Sequence, residues 1–161
     1  MKITKTQNSR LTNTDFNKLE FGKTFSDHML ICKYQEGQWG KAEILPYQEL
    51  SFAPGTHAFH YGQAVFEGMK AFKNKQGEIL LFRPQENMNR LNQSANRLCM
   101  PSVPSSIFID GLKNLLRLDK QWIPEGEGKS LYIRPFIIAS SEFIRATPAD
   151  EFIFFIITSP S

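Results

Sequence analysis

Short apolar or alternating segments recur along the chain and predict β-strands. Six of them, separated by turns, cover residues 29–34, 39–45, 69–72, 78–82, 130–139 and 152–157. Short turns containing Gly join the first segment to the second and the third to the fourth, which favours antiparallel hairpins. The last segment is apolar on both faces, so we expect a central strand that needs cover on two sides.

Two longer segments carry apolar residues at helical spacing. Pro84 suits the opening turn of the first, because a missing N–H costs nothing there, and its stripe comprises Met88, Leu91, Ala95 and Leu98. The second begins near residues 104–106, with an apolar face of Phe108, Leu112, Leu115 and Leu116. The pattern therefore predicts an α+β fold, an antiparallel sheet of about six strands with two main helices packed on one face.

The length of 161 residues suits one domain. Residues 1–20 are polar with few apolar anchors, so we expect a loosely held N-terminal arm before a domain over residues 21–161. The net charge of +3 arises from 19 basic and 16 acidic residues scattered along the chain, which is too weak and dispersed to indicate nucleic-acid binding.

Neither a membrane span nor a disulfide framework is visible. No apolar run approaches the roughly 20 residues of a spanning helix. Cys32 and Cys99 are far apart and lack a CxxC spacing, which is typical of reduced thiols in a cytoplasmic protein. The three histidines show no metal-ligand spacing.

The stretch at residues 59–72 contains two glycines and two prominent rings, Tyr61 and Phe66. Because Gly68 has no Cβ, another backbone or a ligand could approach it closely, or the chain could take a positive φ there. One interpretation is a pocket wall of two rings beside an open backbone edge. The other is an ordinary helix-to-strand corner whose rings fill the core.

Two further groups could bind an anion. Arg90 lies early in the first helix, on a ridge with Asn87, Ser94 and Arg97 that is either solvated or presents a guanidinium fork to a phosphate. Tyr132 and Arg134 are two apart in a strand and so point to one face. Their hydroxyl and guanidinium suit a carboxylate, or they are a surface Arg beside an amphipathic Tyr.

Catalytic groups are harder to find. No Ser-His-Asp arrangement, paired carboxylates or glycine-rich phosphate loop is present, so the residues alone indicate a binding surface without a catalytic centre. Lys70 stands in a short strand with no sign of the desolvation or neighbouring charge that would lower its pKa. We therefore assign no catalytic residue.

Four motifs in order carry a resemblance to a known family. They are FGKTFSDHM at residues 21–29, the stretch 59–72, LFRPQENMNR at 81–90 and SLYIRP at 130–135. Together they resemble the branched-chain amino-acid aminotransferases, which are fold-type IV enzymes that use pyridoxal 5'-phosphate. The resemblance covers residues 21–161 and only the family's small N-terminal domain. It implies that the large C-terminal domain, with the lysine that forms the Schiff base, is absent from this chain, which alone would be inactive.

The resemblance also implies roles for particular residues. Arg90 would bind the cofactor phosphate. The substrate would be surrounded by Phe25, Tyr61, Phe66 and Tyr132 at its branched side chain, and by Gly68 and Arg134 near its carboxylate. The complete protein would transfer the amino group of Leu, Ile or Val to 2-oxoglutarate, as a homodimer in which the small domain contributes to the partner's pocket.

Two alternatives remain at this stage. Within the same superfamily, the chain could come from a D-amino-acid aminotransferase or an aminodeoxychorismate lyase. The Phe-Gly-x-x-Phe motif and the Ser-Leu-Tyr-Ile-Arg-Pro strand favour the branched-chain group. From a different class, it could be a free-standing, non-catalytic module that binds a partner through the surfaces a second domain would cover.

Overall fold

The computed structural model describes residues 1–161, which form a curled mixed sheet and three α-helices. The strands are β1 (Lys2–Ile3), β2 (His28–Gln35), β3 (Gln38–Trp39), β4 (Glu43–Pro46), β5 (Ala64–Phe66), β6 (Met69–Lys73), β7 (Ile79–Leu81), β8 (Leu131–Ala139) and β9 (Phe152–Pro160). The helices are α1 (His57–Tyr61), α2 (Pro84–Arg97) and α3 (Ser105–Leu118). None of the helices is long and apolar enough to cross a membrane.

The strand order is β1-β4-β2-β9-β8-β6-β7, with β3 beside β2 and β5 beside β8. Every pairing is antiparallel except that of β1 with β4, which is parallel. The two longest strands, β8 and β9, pair along nine residues from Leu131 opposite Pro160 to Ala139 opposite Phe152. As the sequence predicts, β9 is central, because β2 occupies its other edge.

The sequence predicts about six antiparallel strands, but the sheet has nine strands and one of its pairings is parallel. Each predicted segment does contain a strand, but the segment at 39–45 is split into β3 and β4, and β1 and β5 are additional. These extra strands have two or three residues, too few for a two-residue period to stand out. They form because a distant partner strand supplies hydrogen bonds.

The core lies between α2, α3 and one face of the sheet. Along β8, residues 131, 133, 135, 137 and 139 are buried and the residues between them are half-buried, so the alternation of the sequence is preserved. Phe108 of α3 stacks on Phe154 of β9 with ring centroids 5.6 Å apart. Helix α3 packs closely against β2 at Gly111, because this residue has no Cβ that would overlap the Leu30 side chain.

Strands β5 and β6 continue one another along the edge of β8. Phe66 lies opposite Phe136 and Met69 opposite Ile133, so the register is unbroken between them. The ladder is interrupted because Pro135 has no N–H to donate, although its carbonyl accepts the Glu67 N–H at 2.9 Å. Side chains alternate along this line, and Glu67 therefore points to the helical face while Gly68 lies on the other.

The N-terminal arm is fixed to the sheet, contrary to the loose attachment that its composition predicts. The Thr6 N–H donates to Nε2 of His28 at 2.9 Å. The Ser9 hydroxyl and the Arg10 N–H donate to the Asp27 carboxylate at 2.5 and 2.9 Å. Burial opposes ionisation of Asp27, but these bonds outweigh it and lower the pKa of that carboxyl below its ordinary value. Polar contacts thus fix the arm, together with Leu11 and Phe16, which pack against the core.

Candidate functional site

A buried carboxylate and an exposed guanidinium form a two-pronged ion pair at the edge of the sheet. Glu67, between β5 and β6, is 6% exposed and faces α2. Arg90 of α2 donates from Nε to Glu67 Oε1 at 2.5 Å and from Nη2 to Oε2 at 2.7 Å. Such a fork fixes the plane of the guanidinium as well as its position.

Two further donors complete the shell around Glu67. Asn87 Nδ2 lies 3.0 Å from Oε2, and the Gly68 N–H lies 3.3 Å from the same oxygen. Burial would raise the pKa of Glu67, but the hydrogen bonds from Arg90 and Asn87 outweigh burial and hold it below its ordinary value. Glu67 in turn raises the pKa of Arg90. Both groups are therefore charged at neutral pH.

Helix α2 places these side chains by its own periodicity. Pro84 stands in the first turn, and Leu91 and Ala95 are the buried positions that set which side faces the core. Asn87 and Arg90 are three residues apart, so they lie one above the other beside that stripe. The Arg90 side chain is 65% exposed, and its Nη1 makes no hydrogen bond within the chain.

Arg90 therefore has donors to spare. A guanidinium carries five N–H donors, of which Glu67 takes those of one edge. The remaining edge makes no hydrogen bond within the chain and has the geometry to bind two oxygens of a phosphate. The donor set thus fits the phosphate of pyridoxal 5'-phosphate, the cofactor that the family resemblance implies.

A second polar pair lies on the other face of the sheet. Arg134 donates to the Tyr132 hydroxyl from Nε at 3.2 Å and from Nη2 at 2.9 Å. The guanidinium carbon also sits 4.3 Å from the centre of the Phe66 ring, within range of a cation–π contact. Because the Tyr132 oxygen accepts from Arg134, its own proton is available for an acceptor such as a carboxylate.

Gly68 allows Tyr132 to lie against the backbone. A Cβ built on Gly68 would overlap the Tyr132 hydroxyl and lie 3.2 Å from Cζ. The φ angle of Gly68 is not positive. Of the possibilities left open by the sequence, close approach is the one observed, and the approaching group is a side chain of this chain.

Tyr132 and Arg134 line a cavity of about 180 Å³. Its other walls are Phe21, Gly22, Phe25, Ile157, Thr158 and Ser159. The Phe21 ring meets Tyr132 edge-on at 5.0 Å, and Phe25 is held by stacking on Tyr47 at 4.8 Å. The cavity combines aromatic walls with the Arg134 cation and the Tyr132 hydroxyl, which suits a small molecule with an apolar side chain and a carboxylate.

The structure brings most of the candidate residues together but not all of them. Phe25 lines the cavity with Tyr132 and Arg134, Phe66 touches Arg134, and Gly68 touches Tyr132. Arg90 faces the helical side and reaches this group only through Glu67, the neighbour of Gly68. Tyr61 does not line the cavity, and its ring lies 4.7 Å from that of His57 on α1.

Sequence reasoning missed Glu67, and it noted Asn87 only as part of a polar ridge. A signal for both was present. Glu67 is the one charged residue in the segment 64–69, and a carboxylate among apolar residues needs a cationic partner when it is buried. Asn87 precedes Arg90 by the three residues that align side chains on a helix.

Comparisons with known proteins agree on one family. No protein-family profile matches the sequence. A Bacillus subtilis (strain 168) protein named branched-chain-amino-acid aminotransferase 2 is 48% identical over 147 residues, which are 91% of this chain and 40% of that relative. The chain thus spans about two fifths of the length of the curated relatives it matches.

Solved structures share the fold. The branched-chain aminotransferase of the archaeon Thermoproteus uzoniensis, solved with norvaline, superposes with a TM-score of 0.62 at 21% identity, over 83% of this chain and 41% of that chain. A second branched-chain amino acid aminotransferase, from T.th., is complexed with N-(5'-phosphopyridoxyl)-L-glutamate. It gives a TM-score of 0.54 at 24% identity, over 77% of this chain and 39% of that chain.

Proposed function

Because the chain belongs, over the region it shares with these relatives, to the branched-chain amino-acid aminotransferase family, we propose that it is the small N-terminal domain of a pyridoxal-phosphate enzyme. The complete enzyme transfers the amino group of Leu, Ile or Val to 2-oxoglutarate. Its large C-terminal domain, beyond residue 161, supplies the lysine that carries the cofactor. One observation supports this most directly: the Glu67–Arg90 fork and the Tyr132–Arg134 pair meet at Gly68, from opposite faces of one strand.

In this proposal Arg90 binds the cofactor phosphate through the guanidinium edge that Glu67 leaves free. Pyridoxal phosphate, when bound, supplies the electron sink for the chemistry at the amino-acid carbon. Tyr132 donates its hydroxyl proton to the substrate carboxylate, and Arg134 holds that hydroxyl in place and adds positive charge. The Gly68 backbone leaves room for this arrangement on the strand.

The aromatic residues select the substrate. Phe25 and Phe66 provide apolar surface for a branched side chain, beside the cationic group that receives the carboxylate. Tyr61 lies outside this cavity, so a surface from another domain or another subunit would have to complete any pocket that it lines. The family resemblance favours a second subunit, and we propose a homodimer in which Tyr61 serves the partner's site.

We further propose that the enzyme works in the cytoplasm. Both cysteines are free thiols. Burial raises the pKa of Cys32 to about 11, which keeps that thiol unreactive.

The test is a transamination assay on the longer gene product. With pyridoxal phosphate, L-leucine and 2-oxoglutarate, we expect steady formation of glutamate. D-leucine serves as the control that separates this proposal from a D-amino-acid aminotransferase, and turnover of D-leucine alone would contradict the proposal. The 161-residue chain should give no turnover, and glutamate formation by it above the cofactor-only blank would reopen the question of Lys70.

A further inference from the structure

The orientation of the Arg90 side chain is set by Glu67. An arginine side chain on a helix surface has several rotatable bonds and, when exposed, loses rotamer entropy on binding a ligand. Here two of its N–H groups are already held by Glu67, at 2.5 and 2.7 Å. The side chain is therefore ordered before any anion arrives.

Glu67 is itself held in place through both its backbone and its side chain. Its backbone N–H bonds to the Pro135 carbonyl at 2.9 Å, which ties it to β8. Asn87 Nδ2 bridges the Glu67 carboxylate at 3.0 Å and the Gly68 carbonyl at 3.3 Å. The carboxylate is buried and ionised, and its position follows the sheet rather than the solvent.

We propose that Glu67 is a positioning residue that pre-organises Arg90 for the cofactor phosphate, and this inference rests on the proposed function. Glu67 fixes one edge of the guanidinium and turns the other toward the phosphate. Its negative charge also opposes the anion, but Asn87 and the Gly68 N–H share that charge. Orientation outweighs repulsion, so loss of the carboxylate weakens phosphate binding.

The experiment compares two ligands that differ only in the phosphate. Affinities for pyridoxal 5'-phosphate and for pyridoxal are measured by equilibrium dialysis with the apo form of the longer gene product. Glu67→Gln should weaken the binding of pyridoxal phosphate about tenfold and leave pyridoxal unchanged, since only the phosphate contact is affected. General damage to the fold would weaken the binding of both ligands equally.

Matched variants calibrate the result. Arg90→Ala should abolish the preference for the phosphorylated ligand. Glu86→Gln and Arg97→Ala make the same charge changes on exposed positions of α2 and should leave both affinities at their wild-type values. If Arg90→Ala loses the preference for the phosphorylated ligand and Glu67→Gln retains it fully, only the positioning role of Glu67 is overturned. An unchanged preference in Arg90→Ala overturns the proposed phosphate site itself.

A measurement on the wild-type protein keeps the inference testable if Glu67→Gln does not fold. The Arg90 Nε–H resonance of the ¹⁵N-labelled protein is assigned by its absence in Arg90→Lys. Bound to Glu67, it should exchange slowly with water, and it should stay slow when inorganic phosphate binds. Rapid exchange in either state would show that Glu67 does not hold Arg90 while the anion is bound, and would overturn the inference.

Discussion

At the scale of single residues, Gly68 leaves no room for a side chain. The Tyr132 ring lies directly on its backbone, and the Tyr132 hydroxyl at that point accepts hydrogen bonds from Arg134. Any side chain at position 68 must displace this hydroxyl. The absence of a Cβ at Gly68 therefore allows the hydrogen-bonded pair of Tyr132 and Arg134 on the neighbouring strand β8 to take this geometry.

Gly68→Ala should destabilise the domain by about 1–3 kcal/mol, since overpacking forces a ring or a strand to move. Tyr132→Phe removes the overlapping hydroxyl and leaves contacts that need a shift of only a few tenths of an ångström. The double variant should therefore lose less than the sum of the two single losses. Urea denaturation measures all three variants, and strictly additive losses would show that the close approach to Gly68 is absent.

Glu67 should give the stability of the domain a distinct dependence on pH. Its folded pKa lies below the ordinary 4.5, so the carboxylate stabilises the fold above that value and loses its contribution as the pH falls through the folded pKa. The difference in unfolding free energy between wild type and Glu67→Gln should be constant near neutrality and shrink below about pH 4.5. Denaturation midpoints from pH 7 to pH 3 provide the measurement, with the exposed Glu86→Gln as control. A difference in unfolding free energy that does not change with pH would contradict the lowered pKa of Glu67.

At the scale of elements, the ends of β2 and β9 are joined by buried hydroxyl groups. The Ser26 and Thr158 hydroxyls form a short hydrogen bond in the interior. Ser159, the next residue of β9, is equally buried, but its Oγ has no partner. Ser26, just before β2, and Ser159, in β9, are thus both buried, and only Ser26 has a hydrogen-bond partner for its hydroxyl.

Replacement of each by alanine should give opposite results. Ser26→Ala should cost about 1–2 kcal/mol, because it leaves the Thr158 hydroxyl buried and unpaired. Ser159→Ala should be neutral or stabilising by up to about 1 kcal/mol, because it removes a polar group that is buried without compensation. Each serine is the control for the other. Equal losses in urea denaturation would mean that Ser159 has a partner after all.

At the scale of the whole molecule, the apolar strand β9 is covered within the chain. Residues 152–156 are all buried, with Phe154 against α3 on one face and Phe155 stacked on Phe136 at 4.7 Å on the other. Exposed apolar side chains lie elsewhere, and among them Phe72 (41% exposed) and Leu80 (48% exposed) face each other on β6 and β7 near the edge of the sheet.

We therefore expect the 161-residue chain to self-associate through the Phe72–Leu80 pair, because adjoining exposed apolar side chains favour burial against another surface. In sedimentation velocity, the sedimentation coefficient of the wild type should increase with protein concentration. That increase should diminish in the double variant Phe72→Ser, Leu80→Ser. Ile144→Ser removes an exposed residue from a loop and should have no effect. A wild type that remains monomeric at all concentrations would contradict the expectation.

Local periodicity made much of this molecule predictable. The six strand segments, both long helices and the shared face of Tyr132 and Arg134 follow from spacings of two and about 3.6 residues, which depend only on neighbours in sequence. The four motifs likewise identified the family, because each is a short continuous stretch. Strands of two or three residues, such as β1 and β5, escaped because their cause is a distant partner.

Contacts across long stretches of chain were decided by the tertiary structure. Arg90 meets Glu67 because the register of β5 and β6 against β8 turns Glu67 toward α2, and that register depends on pairing with residues some 70 positions away. The same pairing brings Tyr132 onto Gly68, and the packing of α1 keeps Tyr61 apart from both. The sequence determined which residues could bind an anion, and the strand register, through the face it assigns to each side chain, decided which of them act together.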